Sequence, residues 1–348
     1  MMMRTKFLWS AAALLPVGIV LLSLIPASGA AQIAKLPRMA DGKPDLQGTY
    51  DIASMTPLER PAGTPLVMSK EEAAKFERER AERVERLARP SSGDRSAPPV
   101  GGVGPAGGVG GYNNFWIDNG TQYYTIDGQK RRSIIVDPPD GRVPAQTPEA
   151  RQRAASRFAR PTSDGQENDP GFDGPNAYDD IERRPLGERC LLGFGSTSGP
   201  PILPVLYNNL HQIVQTADSV MILTEMVHDA RIIRMNSEHL PKTIRKWLGD
   251  SVGRWEGDTL VVDTTNFTDK TRFRGSSENL HVVERFSRID AKTLRYQFTV
   301  EDRSTWVKPW SGEEAWPATS DLMYEYACHE ANYAMENILR GARFREKR

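Results

Sequence analysis

The chain has 348 residues, and its 45 basic and 45 acidic side chains give a formal net charge of zero. No run of Lys and Arg lies beside interleaved aromatic residues, so we expect no nucleic-acid partner, because phosphate binding needs a local excess of positive charge. The length suits one large domain or two small ones.

The first segment, residues 1–31, has the layout of a secretory signal peptide. Two basic residues precede an apolar run that ends at Ile25, and small residues follow it. This pattern predicts cleavage after Ala30 or Ala31 and a periplasmic or secreted protein. The alternative is an uncleaved anchor helix, which Pro16 in the middle of the run disfavours. No later stretch is apolar and long enough to predict a membrane span.

The sequence of residues 32–111 predicts one strand, one helix and one loop. The strand is PDLQGTYDI at 44–52, and a capping box of Ser69 and Glu72 begins a charged helix, which we expect to cover the core surface. The glycine- and proline-rich loop that follows contains a G-x-G-x-x-G pattern. No strand precedes this pattern and no helix follows it, so no dinucleotide cofactor is predicted.

Residues 112–348 repeat one pattern, in which a turn with Asp or Gly precedes a β-branched and aromatic run. These are hairpin signals, and together with the strand at 44–52 they predict one mainly β domain, an antiparallel barrel or a sandwich. A few peripheral helices are expected. They are a helix begun by Pro148, a helix LPKTIRKWLG that stops at Gly249 and a final helix that reaches Gly341.

The chain resembles a family of uncharacterised secreted bacterial proteins in its segments PDLQGTY, SIIVDPPDGRVP, EMVHDARIIRM, GDSVGRWEGDTLVVDTTNF, SENLHVVERFSRID and YEYACHEANY. That resemblance implies no activity. The first strand is also similar to the opening strand of lipocalin-type barrels, where Gly-x-Trp is usual and where Tyr50 stands here in place of Trp. It implies a lipocalin-like barrel, and a fold of this kind supplies no function by itself.

EMVHDARIIR, residues 225–234, carries several polar residues in what reads as a buried strand. With the hairpin turn at Ala217 and Asp218, His211 falls opposite Thr224, because antiparallel partners are equally far from the turn. The more apolar face is expected to point inward. It carries Tyr207, His211, Ile213, Ile222, Thr224, Met226, His228 and Ile232. Glu225, Asp229 and Arg231 are expected to point outward or into a rim.

A second hairpin, around Asp290, leaves a choice of register. In one register Glu284 points inward among apolar residues, and in the other His281 and Arg285 point inward. The strand face that carries Glu284 is the more apolar of the two. Polar groups that converge on an apolar face mark sites. The candidate catalytic residues are therefore His228, Glu284, His281 and Tyr207, and the candidate ligand-binding residues are His211, Met226, Arg285, Trp306 and Trp310. The alternative is that each polar residue is only hydrogen-bonded at a strand end.

Two cysteines in an oxidising compartment predict a Cys190–Cys328 disulfide, and the alternative is a Cys328 nucleophile beside His329. No closely spaced histidine pair occurs, so no metal and no cofactor is predicted, although distant strands can still assemble a metal site. The leading hypothesis is a barrel with an internal pocket for a small, partly apolar organic molecule, with metal-free acid–base chemistry as an option. The alternatives are a non-catalytic protein-interaction module and a metal-dependent enzyme. The sequence does not predict the oligomeric state.

Overall fold

The computed structural model describes residues 36–88, 117–118, 120–157, 178–193, 199–271, 273–330 and 332–347. The predicted signal segment and the G-x-G-x-x-G loop lie outside the described residues. The strands in chain order are β1 (Gly48–Asp51), β2 (Thr125–Ile126), β3 (Gln129–Lys130), β4 (Ile135–Asp137), β5 (Leu210–Gln215), β6 (Ser219–Thr224), β7 (Ala230–Met235), β8 (Asp250–Glu256), β9 (Thr259–Thr265), β10 (His281–Arg288), β11 (Thr293–Glu301) and β12 (Trp310–Thr319).

Strands β5 to β12 pair in sequence, and β1 closes the circuit by pairing with both β5 and β12. The mainly β fold is confirmed, and of the two predicted architectures the structure is the barrel. Every neighbouring pair in the circuit is antiparallel except β7 and β8, which run parallel, a departure from the predicted series of hairpins. Strand β4 adds to one side of β12, and β2 and β3 form a separate small hairpin.

The part of the chain that the structure describes contains three α-helices, namely α1 (Lys70–Ala88), α2 (Pro148–Arg157) and α3 (Ala334–Glu346). The first two begin where the sequence predicts, because a hydroxyl caps each of them. The Oγ of Ser69 accepts from the backbone N–H of Glu72 at 3.1 Å, and the Oγ1 of Thr147 accepts from that of Ala150 at 3.1 Å.

Two helix predictions are wrong. Residues 240–249 form turns, because the segment is bound to the end of β9: the N–H of Lys246 donates to the Asn266 carbonyl at 3.0 Å, and Asn266 Nδ2 donates to the Leu240 carbonyl at 2.8 Å. Helix α3 continues through Gly341 to Glu346. A glycine costs only about 1 kcal/mol within a helix, so it need not end one.

Aromatic side chains fill the interior of the barrel. Tyr296 lies 4.8 Å from Trp316 and 4.9 Å from Phe286 between ring centroids, and Phe298 packs edge-on against Trp310 at 5.7 Å. The close packing extends to the backbone, since a Cβ at Gly312 would overlap the Phe298 ring. These contacts join the aromatic residues of β10, β11 and β12 into one packed cluster.

The predicted Cys190–Cys328 disulfide is confirmed, with the two Cα atoms 5.8 Å apart. It joins the segment before β5 to the chain that follows β12. Both sulfurs are therefore bonded, so the alternative of a free Cys328 nucleophile beside His329 is wrong.

Candidate functional site

A tight turn between β6 and β7 changes the inward face of EMVHDARIIR. Residues Met226–His228 form a 3-10 turn in which Val227 and His228 have positive φ values of 61° and 48°. The turn breaks strand alternation. Arg231 therefore points inward and is buried, whereas Ile232 is 52% exposed. The predicted outward Arg231 and inward His228 and Ile232 are wrong.

Strands β5 and β6, which precede this turn, pair as the sequence predicts. His211 lies opposite Thr224, and its Nδ1 is 3.1 Å from the Thr224 Oγ1. The ring also stacks on Trp316, with centroids 5.3 Å apart. Burial, with a smaller effect of the Arg231 charge, lowers the pKa of His211 to about 3. His211 is therefore neutral at physiological pH.

The inward Arg231 forms a two-point ion pair with Glu284 of β10. Its Nη2 lies 2.8 Å from Glu284 Oε1, and its Nη1 bonds the other carboxylate oxygen. The hydroxyl of Tyr296 donates to the same Oε1 at 3.0 Å and accepts from the Ile202 N–H at 2.9 Å. The register with Glu284 inside is thus confirmed. Buried charges are costly unless paired, and this pairing balances both charges, although Arg231 Nε has no hydrogen-bond partner among the described residues.

Glu314 is the second carboxyl group inside the barrel. One oxygen accepts from Trp316 Nε1 at 2.8 Å, and the other, Oε1, has no hydrogen-bond partner within the part of the chain that the structure describes. Burial raises the pKa of Glu314 to about 8, against which the bond from Trp316 acts. The group is therefore mainly protonated at neutral pH and adds no full charge beside the Arg231–Glu284 pair.

The structure does not bring the predicted site residues into one pocket. His228 is exposed in the turn, Tyr207 is half-buried before β5, and Met226 is buried within the turn. His281 and Arg285 lie on the outer face of β10, where Arg285 pairs with Glu256 at 3.0 Å. Trp306 and Trp310, predicted to bind ligand, are buried against each other with ring centroids 5.9 Å apart and pack the core.

A polar cluster on the outer face of the barrel contains His281. Asp263 of β9 binds an imidazole on each oxygen, with Oδ2 3.1 Å from His281 Nε2 and Oδ1 2.9 Å from His239 Nε2. The other ring nitrogens face carboxylates, with His239 Nδ1 3.2 Å from Asp250 and His281 Nδ1 3.8 Å from Glu301. The cluster ties residues 236–249 to three neighbouring strands.

Titration in this outer cluster is shifted toward the charged forms. The hydrogen bond to Asp263 raises the pKa of His281 despite partial burial. Burial raises the pKa of Asp263, but the bonds from His281 and His239 outweigh it and leave that pKa lowered. Among the described residues, no group of three His, Cys, Asp or Glu side chains is arranged to hold a metal ion.

His239, Asp250 and Asp263 were not among the site residues predicted from the sequence. One signal existed for Asp263: it is the polar residue between the buried Val262 and Thr264 of β9, and so it must point outward. His239 lies in the irregular segment before β8, and its position depends on tertiary contacts that no periodicity encodes.

A cavity of about 650 Å³ lies beside the disulfide, between the chain after β12, helix α3 and the segment before β5. We call it the mouth groove, because it adjoins the end of the barrel at which β1 and β6 end. Its walls include Glu188, Asn208, Tyr324, Tyr326, Met335 and Ile338. None of these was a candidate site residue in the sequence.

Carboxylates cluster at the edge of the mouth groove. The Tyr324 N–H donates to Glu225 Oε1 at 2.9 Å, which joins the groove wall to the end of β6. Nearby, burial raises the pKa of Asp51 to about 6, and the charges of Asp118, Asp321 and Glu225 add to this shift. The edge of the groove therefore carries several acidic side chains.

Comparisons with known proteins add little to these observations. No family model matches the chain, and no curated protein matches it. A crystal structure of a mutant of the fluorescent protein UnaG is similar at 14% sequence identity and a TM-score of 0.21, over 32% of this chain and 72% of that one. A TM-score this low does not establish a common fold, and the barrel rests on the strand pairing described above.

Proposed function

We propose that the protein is a small-molecule-binding β-barrel that works outside the cytoplasm and that its ligand occupies the mouth groove. The observation that carries the proposal is the cavity of about 650 Å³. Binding sites for small organic molecules typically measure about 300 to 1,000 Å³ and are mostly apolar, with a few polar groups.

The composition of the groove supports this use. Tyr324, Tyr326, Met335 and Ile338 offer aromatic and aliphatic surface, and Asn208 offers an amide. Such a lining suits a partly apolar molecule, because the apolar walls supply most of the binding free energy and the polar groups fix orientation.

The groove is a better candidate than the barrel interior that the sequence favours. Inside, Glu284 is bound by Arg231 and Tyr296, and the aromatic side chains pack against one another. The groove is open, and the Cys190–Cys328 bond holds its wall in place. A site that is already ordered loses less conformational entropy when it binds.

The proposed compartment rests on two observations. The disulfide is of the kind that persists in the periplasm or outside the cell. The sequence of residues 1–31 has the pattern of a secretory signal. Separately, among the described residues no helix is long and apolar enough to cross a membrane.

A thermal-shift screen of the purified protein against neutral, anionic and cationic organic molecules tests the proposal, since a ligand of the native state raises its stability. Met335→Trp fills the groove, and Asn337→Trp places the same side chain on an exposed position of α3. A stabilising compound should lose its effect in the Met335 variant and keep it in the Asn337 variant. An equal response in both variants contradicts the groove as the site.

A further inference from the structure

We infer that the mouth groove takes an organic cation, a molecule with an ammonium or quaternary ammonium group on an apolar body. The inference rests on the proposed function and names the chemical class of its ligand. Three features of the groove carry it, namely the charges of its walls, the charges at its edge and its tyrosines.

The charged residues in the groove walls are all acidic. They are Glu188 and Glu325, and no Lys or Arg of the described residues lines the cavity. Arg184 neutralises Glu188, since its Nε lies 2.9 Å from Glu188 Oε2. Glu325 is exposed at the groove and supplies a negative charge beside the apolar surface.

The edge of the groove adds further negative charge. Asp118, Asp321 and Glu225 all act on Asp51 with like charge, and this group is joined to the groove wall by the bond from Tyr324 to Glu225. A cation in the groove lies within the field of these carboxylates and relieves their repulsion. An anion is repelled by the same field, and a neutral molecule gains nothing from it.

The tyrosines provide the third feature. Tyr324 is 70% exposed and Tyr326 also lines the cavity, so two rings are available beside Glu325. The face of an aromatic ring attracts a cation, and aromatic groups combined with carboxylates are a common means of binding quaternary ammonium groups. An organic cation satisfies both the apolar walls and the acidic edge.

The test compares choline with 3,3-dimethylbutan-1-ol, in which a carbon replaces the charged nitrogen, and adds benzyltrimethylammonium as a cation with a larger apolar body. Isothermal calorimetry on the disulfide-bonded protein should show choline binding at least about tenfold more tightly than the alcohol. Benzyltrimethylammonium should bind more tightly than choline, and added NaCl should weaken both.

Two conservative variants separate the groove charge from general effects. Glu325→Gln should weaken binding of both cations by about threefold or more, whereas Glu256→Gln, on the outer face at the end of β8, should leave it unchanged. The melting temperature of each variant without ligand shows that it is folded. Weaker binding in Glu325→Gln with an unchanged melting temperature supports the inference.

The outcomes distinguish this inference from the proposed function. Equal affinity for choline and its neutral analogue, or unchanged binding in Glu325→Gln, overturns the cation while the groove stands. Failure of both cations to bind also overturns it. The proposed function fails on a separate result. It is wrong if no stabilising compound in the screen loses its effect in the Met335→Trp variant.

Discussion

Arg231 and Glu284 meet inside the barrel, where Arg231 Nη2 lies 2.8 Å from Glu284 Oε1 and a second bond joins the other two atoms. The two residues are 53 positions apart and belong to β7 and β10, which do not pair with each other. The ion pair therefore connects two separate parts of the strand circuit through its interior.

Breaking this pair should destabilise the protein strongly. Each single change, Arg231→Met or Glu284→Gln, leaves the other residue of the pair buried without its counter-charge. The expected cost is about 3 to 5 kcal/mol in unfolding free energy. The double variant Arg231→Met/Glu284→Gln should cost much less than the sum of the two single changes, because no charge stays buried. Denaturant unfolding measures all three, and additive costs refute the coupling.

Replacing Glu314 should change the stability of the protein in the opposite direction. Its folded pKa of about 8 lies above the usual value of 4.5, so its effect on stability is most favourable at low pH and is lost as pH rises toward the folded pKa. Glu314→Gln keeps an acceptor for Trp316 and removes the cost of ionisation. We expect it to stabilise the protein by about 1 to 3 kcal/mol at pH 7 and by less near pH 5. A gain that is the same at both pH values contradicts the burial argument.

The outer cluster should make stability depend on pH. Because the pKa of His281 is raised, its contribution is present at low pH and is lost as pH rises through the folded pKa. Asp263 has a lowered pKa, so its own contribution is lost only on acidification.

His281→Asn and His228→Asn form a matched pair for this effect, since His228 is an exposed turn residue. The stability difference between wild type and His281→Asn should shrink between about pH 5 and about pH 9, and His228→Asn gives the baseline for a histidine outside the cluster. Unfolding curves across this range provide the check, and parallel behaviour of the two variants argues against the cluster.

The disulfide should support both stability and the groove. It spans a sequence separation of 138 residues, for which the loss of chain entropy in the unfolded state gives roughly 4 to 5 kcal/mol. Cys190→Ser/Cys328→Ser should therefore lower the melting temperature, and it should weaken ligand binding at temperatures where the variant is still folded. Unchanged affinity in that variant shows that the bond does not shape the site.

The sequence predicted a mainly β fold, a barrel or a sandwich, because hairpin turns and strand alternation are local features. The pairing of His211 with Thr224 follows from the turn position alone, and Glu284 faces inward because its neighbours Val282 and Phe286 are apolar. Local patterns also identified the caps at Ser69 and Thr147.

The same reasoning failed where the backbone leaves regular alternation. A turn with positive φ at Val227 and His228 cannot be read from periodicity, because those residues rarely adopt that conformation. Arg231 and Ile232, which follow this turn, were therefore assigned to the wrong faces. The mouth groove escaped prediction for another reason: its walls come from three distant segments that a disulfide and irregular chain bring together.

Methionine methyl groups report most directly on where a ligand binds. Met335 lines the mouth groove, Met235 is buried on the inward face of β7, and Met226 is buried in the turn, so a protein labelled with ¹³C at methionine methyls carries both a probe and its controls. Titration with each compound that raises the melting temperature should shift the Met335 signal in a saturable manner and leave Met235 unchanged. A saturable shift of Met235 with an unchanged Met335 would place the ligand inside the barrel and contradict the groove.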